Sequence, residues 1–322
     1  MTEFIKGIEL AKRFYWSEVH PLLEAIPHAA GRLDTSSEVL GLDTLMSTDH
    51  DWSPRRLQVF VEEGADVALG LPDSLIEVLT PQKFFLDYLG CDLAAPLKAA
   101  DWLSLPEQKL LTVSFGPLFH DSLGLEALRG RFAYYPHDVW LYQLASVWTR
   151  IGQEEHLVAR AGFVGDELGA KVIAARLVRD MMRLGFLMER RYAPYAKWFG
   201  TVFRTLSCAK ELHPLLEGVL RSESWEQRDE WLSRAYACVA RMYNPLGITD
   251  FLPEEPAPFY TRPFRVIHLH ADFAGKIVSL IQDPSLRRIA SNRLIGGIDV
   301  FSDSTDLVSH THWRPLVKQF YE

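Results

Sequence analysis

Cysteine is scarce in this sequence, and the scarcity excludes two kinds of site. The 322 residues contain only Cys91, Cys208 and Cys238, at spacings that match neither a zinc knuckle nor a disulfide framework. We therefore expect three ordinary thiols, kept reduced in the cytosol.

A surplus of positive charge is also missing. Lysine and arginine together number 34, aspartate and glutamate number 42, and the formal net charge is -8. A protein that binds the phosphate backbone of a nucleic acid needs excess cations to displace the phosphate counterions. The charge balance therefore disfavours general nucleic-acid binding.

Long apolar runs are absent as well. No stretch approaches the ~20 apolar residues of a membrane span, and charged residues interrupt the apolar positions of residues 1–16, so that this segment has no signal-peptide core. Ile5, Ile8, Ala11 and Tyr15 recur at three- and four-residue spacing, which predicts an amphipathic helix. We expect a cytoplasmic protein without a membrane segment.

Residues 30–125 have the texture of a mixed α/β region. Short apolar runs separated by Gly, Pro and Asp predict strands at Leu57–Val61, Leu75–Leu79 and Leu110–Phe115. Gln82–Leu89 has helical spacing instead. Helices and strands alternating in this way favour a sheet covered by helices.

Beyond Pro136 the hydrophobic period becomes helical. Helices are predicted at Val139–Ile151, Asp166–Tyr192, Trp198–Leu206, Leu212–Leu220 and Trp225–Tyr243. The tail adds a strand at Phe264–Leu269 and a helix at Phe273–Ile281. We predict an α+β protein of two domains, with a mixed sheet and helices in 1–135 and a mainly helical domain with a short strand-containing tail in 136–322.

Two aspartates, Asp49 and Asp51, are the most informative residues for chemistry. On a strand, residues two apart point to the same face, so both carboxylates would face one side. Such a pair can hold a hard cation such as Mg²⁺, which keeps its remaining positions for water and substrate phosphates. Aspartates are also common in turns and helix N-caps, which is the structural alternative.

A serine turn precedes the two acids. The run Ser36–Gly41 (SSEVLG) followed by Ser47–Trp52 (STDHDW) resembles the nucleotidyltransferase superfamily typified by DNA polymerase beta, whose signature is a Gly-Ser or Gly-Gly turn, a helix and an Asp-x-Asp strand. Ser37–Trp52 is more closely similar to an uncharacterised domain-of-unknown-function family related to minimal and aminoglycoside-type nucleotidyltransferases. That similarity continues through Trp102–Glu107, Leu118–Gly124 and Gly165–Trp198.

One position departs from the family pattern. Serine occupies position 36, where the family has glycine, and glycine lets backbone N–H groups approach a triphosphate closely. A serine hydroxyl can still support the turn through a local hydrogen bond.

The resemblance implies an N-terminal nucleotidyltransferase-like sheet and a Mg²⁺-dependent transfer of a nucleoside monophosphate, AMP from ATP, to a hydroxyl group of a small molecule or protein. Asp49 and Asp51 would hold the metal, and Ser36 and Ser37 would cradle the triphosphate. Glu77, between apolar residues of a predicted strand, is the candidate third carboxylate, as metal ligand or general base.

Each of these assignments has a structural alternative. Alternation along a strand predicts an outward-facing polar residue at Glu77 in any case. Asp121 is the second candidate for the third carboxylate, and a turn or cap role after a strand is its alternative.

Cations of the helical half are the candidates for binding phosphate. The resemblance brings Arg179, Arg183 and Lys197 to the nucleotide, with Tyr195 as a contact to base or sugar. The alternative is a solvated, salt-bridged helix face, with Tyr195 and Lys197 packing a helix end.

The tail contains two further clusters. His268 and His270 alternate on the predicted strand, where a histidine pair can ligate zinc, but no third ligand has a suitable spacing. Asp299, Asp303 and Asp306 cluster near the end, where capping and turn formation account for them.

A second class of function stays open in the sequence. The chain is either a nucleotidyltransferase or a catalytically inactive nucleotide-binding or protein-interaction module with the same fold, of which an antitoxin partner is one form. Ser36 favours the inactive module, whereas the acids Asp49, Asp51 and Glu77 favour the enzyme.

Overall fold

The computed structural model describes residues 4–48, 52, 56–65, 67–72 and 74–322. The chain forms two compact units. The first is Met1–Tyr134 with Ser304–Gln319, and the second is Tyr135–Asp303 with Phe320–Glu322. No helix in the described ranges is both long and apolar enough to cross a membrane.

The first unit combines a sheet with short helices. Its strands are β1 (His28–Gly31), β2 (Leu57–Val61), β3 (Ile76–Leu79) and β4 (Leu118–Asp121). Its helices are α1 (Gly7–Phe14), α2 (His20–Leu23), α3 (Pro81–Leu89), α4 (Ala99–Leu103), α5 (Glu107–Phe115), α6 (Leu125–Arg129), α17 (Thr305–Ser309) and α18 (Arg314–Lys318). A π-helical turn, Tyr15–Val19, joins α1 to α2.

The sheet is mixed, with strand order β3-β2-β1-β4. β1 is antiparallel to both β2 and β4, whereas β2 and β3 are parallel. The predicted amphipathic helix at the N-terminus is confirmed, because Ala11 and Tyr15 are fully buried and pack with Leu57 and Val59 of β2. One face of the sheet is thereby covered by the first helices of the chain.

The second unit is mainly helical, as the sequence predicts. Its long helices are α7 (His137–Glu154), α8 (Leu157–Phe163), α9 (Glu167–Met188), α10 (Ala196–Phe203), α11 (Ala209–Arg221) and α12 (Trp225–Tyr243). After them come the strands β5 (Ala257–Pro258) and β6 (Arg265–Val266), and the helices α13 (His268–Ala271), α14 (Phe273–Val278), α15 (Pro284–Asn292) and α16 (Ile298–Phe301).

Local capping explains where several helices begin. Thr80 accepts a hydrogen bond from Lys83 N over 3.1 Å at the start of α3, and Pro81 occupies its first position. Asp166 accepts one from Gly169 N over 2.8 Å at the start of α9. These side chains satisfy N–H groups that have no partner within the helix.

The strand predicted at Leu110–Phe115 is wrong, because this run is the second half of helix α5. A short apolar run fits a strand and a buried helix equally well. The helix starts at Glu107, and the buried Leu110 and Val113 lie on one of its faces at three-residue spacing.

The strand predicted at Phe264–Leu269 is also wrong beyond Val266. The buried carboxylate of Glu155 accepts hydrogen bonds from Ile267 N, over 2.6 Å, and Leu269 N, over 2.8 Å. These bonds hold the N–H groups at the start of α13, so the chain turns into a helix instead of extending the strand.

Candidate functional site

Three strand ends meet at one end of the sheet in the first unit. Gly31, the last residue of β1, pairs with Gln58, the second residue of the antiparallel β2. Ile76, the first residue of β3, pairs with Leu57, the first residue of β2. The C-terminal end of β1 therefore lies beside the N-terminal ends of β2 and β3.

Gln58 links two of these strand ends. Its side chain is buried, and its Oε1 accepts a hydrogen bond from Leu33 N, just after β1, over 2.7 Å. Glu77 is the partner of Gln58 on β3, so both side chains lie on the same face of the sheet. Glu77 is exposed and, with Arg56, lines a cavity of about 780 Å³ beside β3.

Residues 34–42, which include Ser36 and Ser37 and are called the serine turn from here on, follow directly after Leu33. Ser36 Oγ accepts a hydrogen bond from Val39 N over 3.3 Å, which confirms the local bond expected of this serine. It also lies 3.3 Å from Nη2 of the buried Arg32, which is held by Asp34 through two bonds of 2.9 and 3.1 Å. The buried guanidinium of Arg32 therefore holds the turn through Asp34 and Ser36.

Several backbone donors of this turn are available to a ligand. Leu42 N donates to Ser37 O over 2.9 Å and closes the turn. Within the described part of the chain, the N–H groups of Asp34, Thr35 and Ser36 donate to no acceptor. Successive free N–H groups in a turn form an anion-binding concavity.

A half-buried tyrosine anchors the same turn from helix α3. The hydroxyl of Tyr88 is hydrogen-bonded to Thr35 Oγ1 and, over 2.7 Å, to Thr112 Oγ1 on α5. Burial raises the pKa of Tyr88 to about 12, so its hydroxyl stays protonated at neutral pH. The turn is thus tied to two helices as well as to the sheet.

The two candidate acids, Asp49 and Asp51, lie outside the described residues. Trp52, which follows them in sequence, has its indole Nε1 3.4 Å from Oδ2 of Asp43. Asp43 is fully buried and also accepts a hydrogen bond from Gly7 N over 2.7 Å, at the start of α1. Trp52 is therefore linked to the buried carboxylate that also binds the start of helix α1.

Asp121 ends β4 and has a capping role. Its carboxylate accepts hydrogen bonds from the backbone N–H groups of Leu123, Leu125 and Glu126, at 3.1, 3.0 and 2.8 Å. Partial burial raises its pKa, but these bonds outweigh that effect and bring the pKa below its usual value. The turn or cap interpretation of Asp121 is therefore confirmed.

The remaining candidates belong to the second unit. Arg179 forms an ion pair of 2.5 Å with Asp303, so one member of the acidic tail cluster balances its charge. Arg183 is buried, with its guanidinium carbon 5.7 Å from the ring centroid of Phe199.

Tyr195 and Lys197 lie at the start of helix α10. Tyr195 is its N-cap residue, and the Tyr195 hydroxyl accepts a hydrogen bond from Trp198 Nε1 over 2.9 Å. Lys197 is exposed, with Nζ 5.0 Å from the centroid of the same indole. Tyr195 and Lys197 therefore both pack against Trp198 at the start of α10.

The tail histidines lie on a helical turn, with different exposure to solvent. His268 and His270 lie on the helical turn α13 instead of a strand, with His268 buried and His270 exposed. Across the described residues, no group of three His, Cys, Asp or Glu side chains is placed to hold a metal ion.

Sequence reasoning missed the residues that support the serine turn. Gln58 had a usable signal, because it interrupts the otherwise apolar strand LQVFV. Arg32 and Tyr88 had none, because their roles depend on burial and on the contact between Thr35 and Tyr88, which are 53 positions apart.

Comparison with known proteins gives one family match. The family described as Domain of unknown function (DUF4037) matches residues 102–199, which is less than a third of the chain. The matched range lies beyond the serine turn and Glu77 but includes Arg179, Arg183, Tyr195 and Lys197. No curated protein matches the sequence.

One solved structure shows limited similarity. It is the crystal structure of a nucleotidyltransferase-like protein from Exiguobacterium sibiricum 255-15, with 13% sequence identity, covering 77% of this chain and 82% of that chain, at a TM-score of 0.35. A TM-score this low does not establish a shared fold.

Proposed function

We propose that this chain is a Mg²⁺-dependent nucleotidyltransferase that moves AMP from ATP to a hydroxyl group of a small molecule or protein. The observation that carries the proposal is the meeting of three strand ends in the first unit. The serine turn follows the first of these ends, Asp49 and Asp51 precede the second in sequence, and Glu77 lies on the third.

The serine turn suits the triphosphate. Its free N–H groups at Asp34, Thr35 and Ser36 provide donors for phosphate oxygens, and Arg32 and Tyr88 hold the turn in place. A preformed turn binds an anion without first losing the entropy of ordering itself. This rigidity supports nucleotide binding even though Ser36 replaces the glycine of the family pattern.

Carboxylate oxygens are the donors that suit Mg²⁺. Glu77 is exposed at the shared end of the sheet, so its carboxylate is available as a ligand. Because no described group of three metal-ligating side chains exists, Glu77 needs Asp49 and Asp51 to complete the set. Mg²⁺, when bound there, would neutralise negative charge that develops on the phosphates.

The chain's own residues then have defined tasks in the transfer. The acceptor hydroxyl oxygen forms a bond to the α-phosphorus of ATP, the bond from that phosphorus to the bridging oxygen of the β-phosphate breaks, and pyrophosphate leaves. Glu77 or one of the aspartates accepts the proton of the hydroxyl. The serine turn holds the phosphates in line for the displacement.

Nucleotide titration tests the assignment of Glu77 and the turn. Mg-ATP is titrated by calorimetry into the wild-type protein, Glu77→Gln and the control Glu63→Gln, whose carboxylate is also exposed but lies after β2. We expect Glu77→Gln to raise the Kd for Mg-ATP about tenfold, with Glu63→Gln unchanged.

Two outcomes would go against the enzyme. If wild-type protein binds Mg-ATP with equal affinity in Mg²⁺ and in EDTA, the proposed metal site is wrong. If the wild type binds nucleotide but Glu77→Gln binds it with the same affinity, an inactive nucleotide-binding module is the better description of the protein's function.

A further inference from the structure

A cavity of about 960 Å³ lies in the second unit, apart from every residue assigned above. Helices α11 and α12 form two of its walls, and Glu255, Pro256 and Arg265 form a third. Its volume is at the upper end of the range of small-molecule sites. The unit therefore contains a site large enough for a ligand that the nucleotidyltransferase proposal does not use.

Basic and acidic side chains line this cavity in equal number. The basic ones are Lys210, Arg234, Arg241 and Arg265. The acidic ones are Glu211, Asp229, Glu230 and Glu255. With no net charge, the cavity has no general attraction for a polyanion or a polycation. Opposite charges facing one space suit a ligand that itself carries both signs.

Some of these charges are already satisfied within the protein. Arg241 forms an ion pair of 2.6 Å with Glu211, and Arg265 Nη1 donates to Pro256 O over 2.8 Å. A ligand in this cavity would therefore bind to the charged groups that remain.

Asp229 and Ser233 are polar groups on one face of α12 that can each take a further hydrogen bond. They are four residues apart, so they lie one turn from each other. Ser233 Oγ is buried and has no hydrogen-bond partner in the described chain. The half-buried carboxylate of Asp229 accepts a hydrogen bond from the backbone N–H of Arg265 but has no ion pair within 4.0 Å among the described residues. Burial raises the pKa of Asp229 to about 6, although Arg265 acts in the opposite direction. A cation would relieve the cost of that buried charge.

Among the described cations that line the cavity, Lys210 and Arg234 have neither an ion pair nor a side-chain hydrogen bond, whereas Arg265 has its bond to Pro256 O. The guanidinium carbon of Arg234 lies 4.3 Å from the ring centroid of Trp231, and this stacking fixes its plane while its N–H groups stay available. A planar carboxylate is the group that a guanidinium of this kind recognises best.

We propose that this cavity binds a small zwitterion of amino-acid or dipeptide type. The ammonium group of the ligand lies at Asp229 and Ser233 Oγ, and its carboxylate lies at Arg234 and Lys210. The two poles of the ligand are thereby matched to one acidic and one basic set of groups that can still form bonds.

The test uses defined probes. The twenty free L-amino acids and a set of dipeptides are screened by thermal shift at 10 mM on the full chain, and each hit is titrated by calorimetry. Matched derivatives of each hit, N-acetylated or with the carboxylate amidated, remove one charge at a time. Asp229→Asn and Arg234→Gln remove the corresponding protein groups, and Glu226→Gln, an exposed acid of α12 outside the cavity, is the control.

We expect at least one hit, a Kd at least tenfold higher for each single-charge derivative, and the same loss in Asp229→Asn and Arg234→Gln but not in Glu226→Gln. Circular dichroism checks that each variant is folded. The proposal is overturned if no probe binds, if the derivatives bind as well as the zwitterion, or if folded Asp229→Asn and Arg234→Gln both retain wild-type affinity.

Discussion

The buried side chain of Gln58 accepts the backbone N–H of Leu33 over 2.7 Å, and this bond joins the start of β2 to the end of β1. Leu33 leads into the serine turn, and Glu77 lies beside Gln58 on β3. One hydrogen bond therefore connects the proposed phosphate-binding turn to β2. Its neighbour β3 carries Glu77, and Asp49 and Asp51 precede β2 in sequence.

Replacing Gln58 by Met should weaken both stability and nucleotide binding. Methionine has a similar volume but cannot accept the Leu33 N–H, which is left buried without a partner. We expect the free energy of unfolding to fall by about 2 kcal/mol in urea titrations. The exposed Gln319→Met is the control, and an equal effect in both variants would show that the bond has no special role.

Arg314 holds the C-terminal segment of the first unit to its core. Its buried guanidinium donates to Leu89 O over 2.6 Å and to Ser104 Oγ over 3.1 Å, and it lies 3.4 Å from a carboxylate oxygen of Asp101. The five N–H donors of the planar guanidinium face acceptors on two segments distant in sequence.

Arg314→Met should therefore lower the free energy of unfolding by about 3 kcal/mol, because buried acceptors lose their donor. Arg13→Met removes an exposed pair with Glu9 and should cost less than about 1 kcal/mol. Urea unfolding followed by tryptophan fluorescence measures both. Equal losses in the two variants would mean that the buried contacts of Arg314 contribute no more than a surface pair.

His268 should make stability fall in mildly acidic solution. Burial against Trp148 lowers the pKa of His268 from 6.5 to about 4, and its Nδ1 has no partner among the described residues. Between these two values the unfolded chain binds a proton that the folded chain does not. The contribution of neutral His268 is therefore present above pH 6.5 and is lost as the pH falls towards 4, by about 3 kcal/mol in total.

The measurement is urea unfolding at pH 7 and at pH 4.5 for wild type, His268→Asn and the exposed control His270→Asn. We expect the difference between the two pH values to shrink in His268→Asn and to stay as in wild type in His270→Asn. Comparing the differences removes the effect of other titrating groups and of any cavity left by the substitution. An unchanged pH dependence in His268→Asn would contradict the account.

Sequence pattern predicted the long elements well, because a sustained helical period has few alternative explanations. Helix α12 has the bounds predicted, Trp225–Tyr243, and strand β2 has the bounds predicted, Leu57–Val61. The two failures were short runs: Leu110–Phe115, whose apolar pattern fits a strand and a buried helix equally well, and Phe264–Leu269, whose state is set by a distant partner. Glu155 turns the segment after Val266 into a helix from more than a hundred positions away.

The features of the candidate site likewise divide into those that local sequence predicted and those that it did not. The local bond of Ser36 and the cap formed by Asp121 follow from the chemistry of nearby residues and were predicted. The buried Arg32 and the half-buried Tyr88 hold the turn through contacts between separate segments of the chain, which no local pattern encodes.

Transfer of label from [α-³²P]ATP tests the central claim most directly. The protein is incubated with Mg²⁺, the labelled ATP and fractionated cell extract as the source of acceptor, and labelled products and released pyrophosphate are measured for wild type, Asp49→Asn, Asp51→Asn and the exposed control Asp250→Asn. We predict Mg²⁺-dependent labelling and pyrophosphate release by wild type and Asp250→Asn, and a loss of about a hundredfold in both acid variants with unchanged thermal unfolding. Labelling that persists in Asp49→Asn and Asp51→Asn, or wild-type protein that binds Mg-ATP yet releases no pyrophosphate with any fraction, would contradict the assignment as a nucleotidyltransferase.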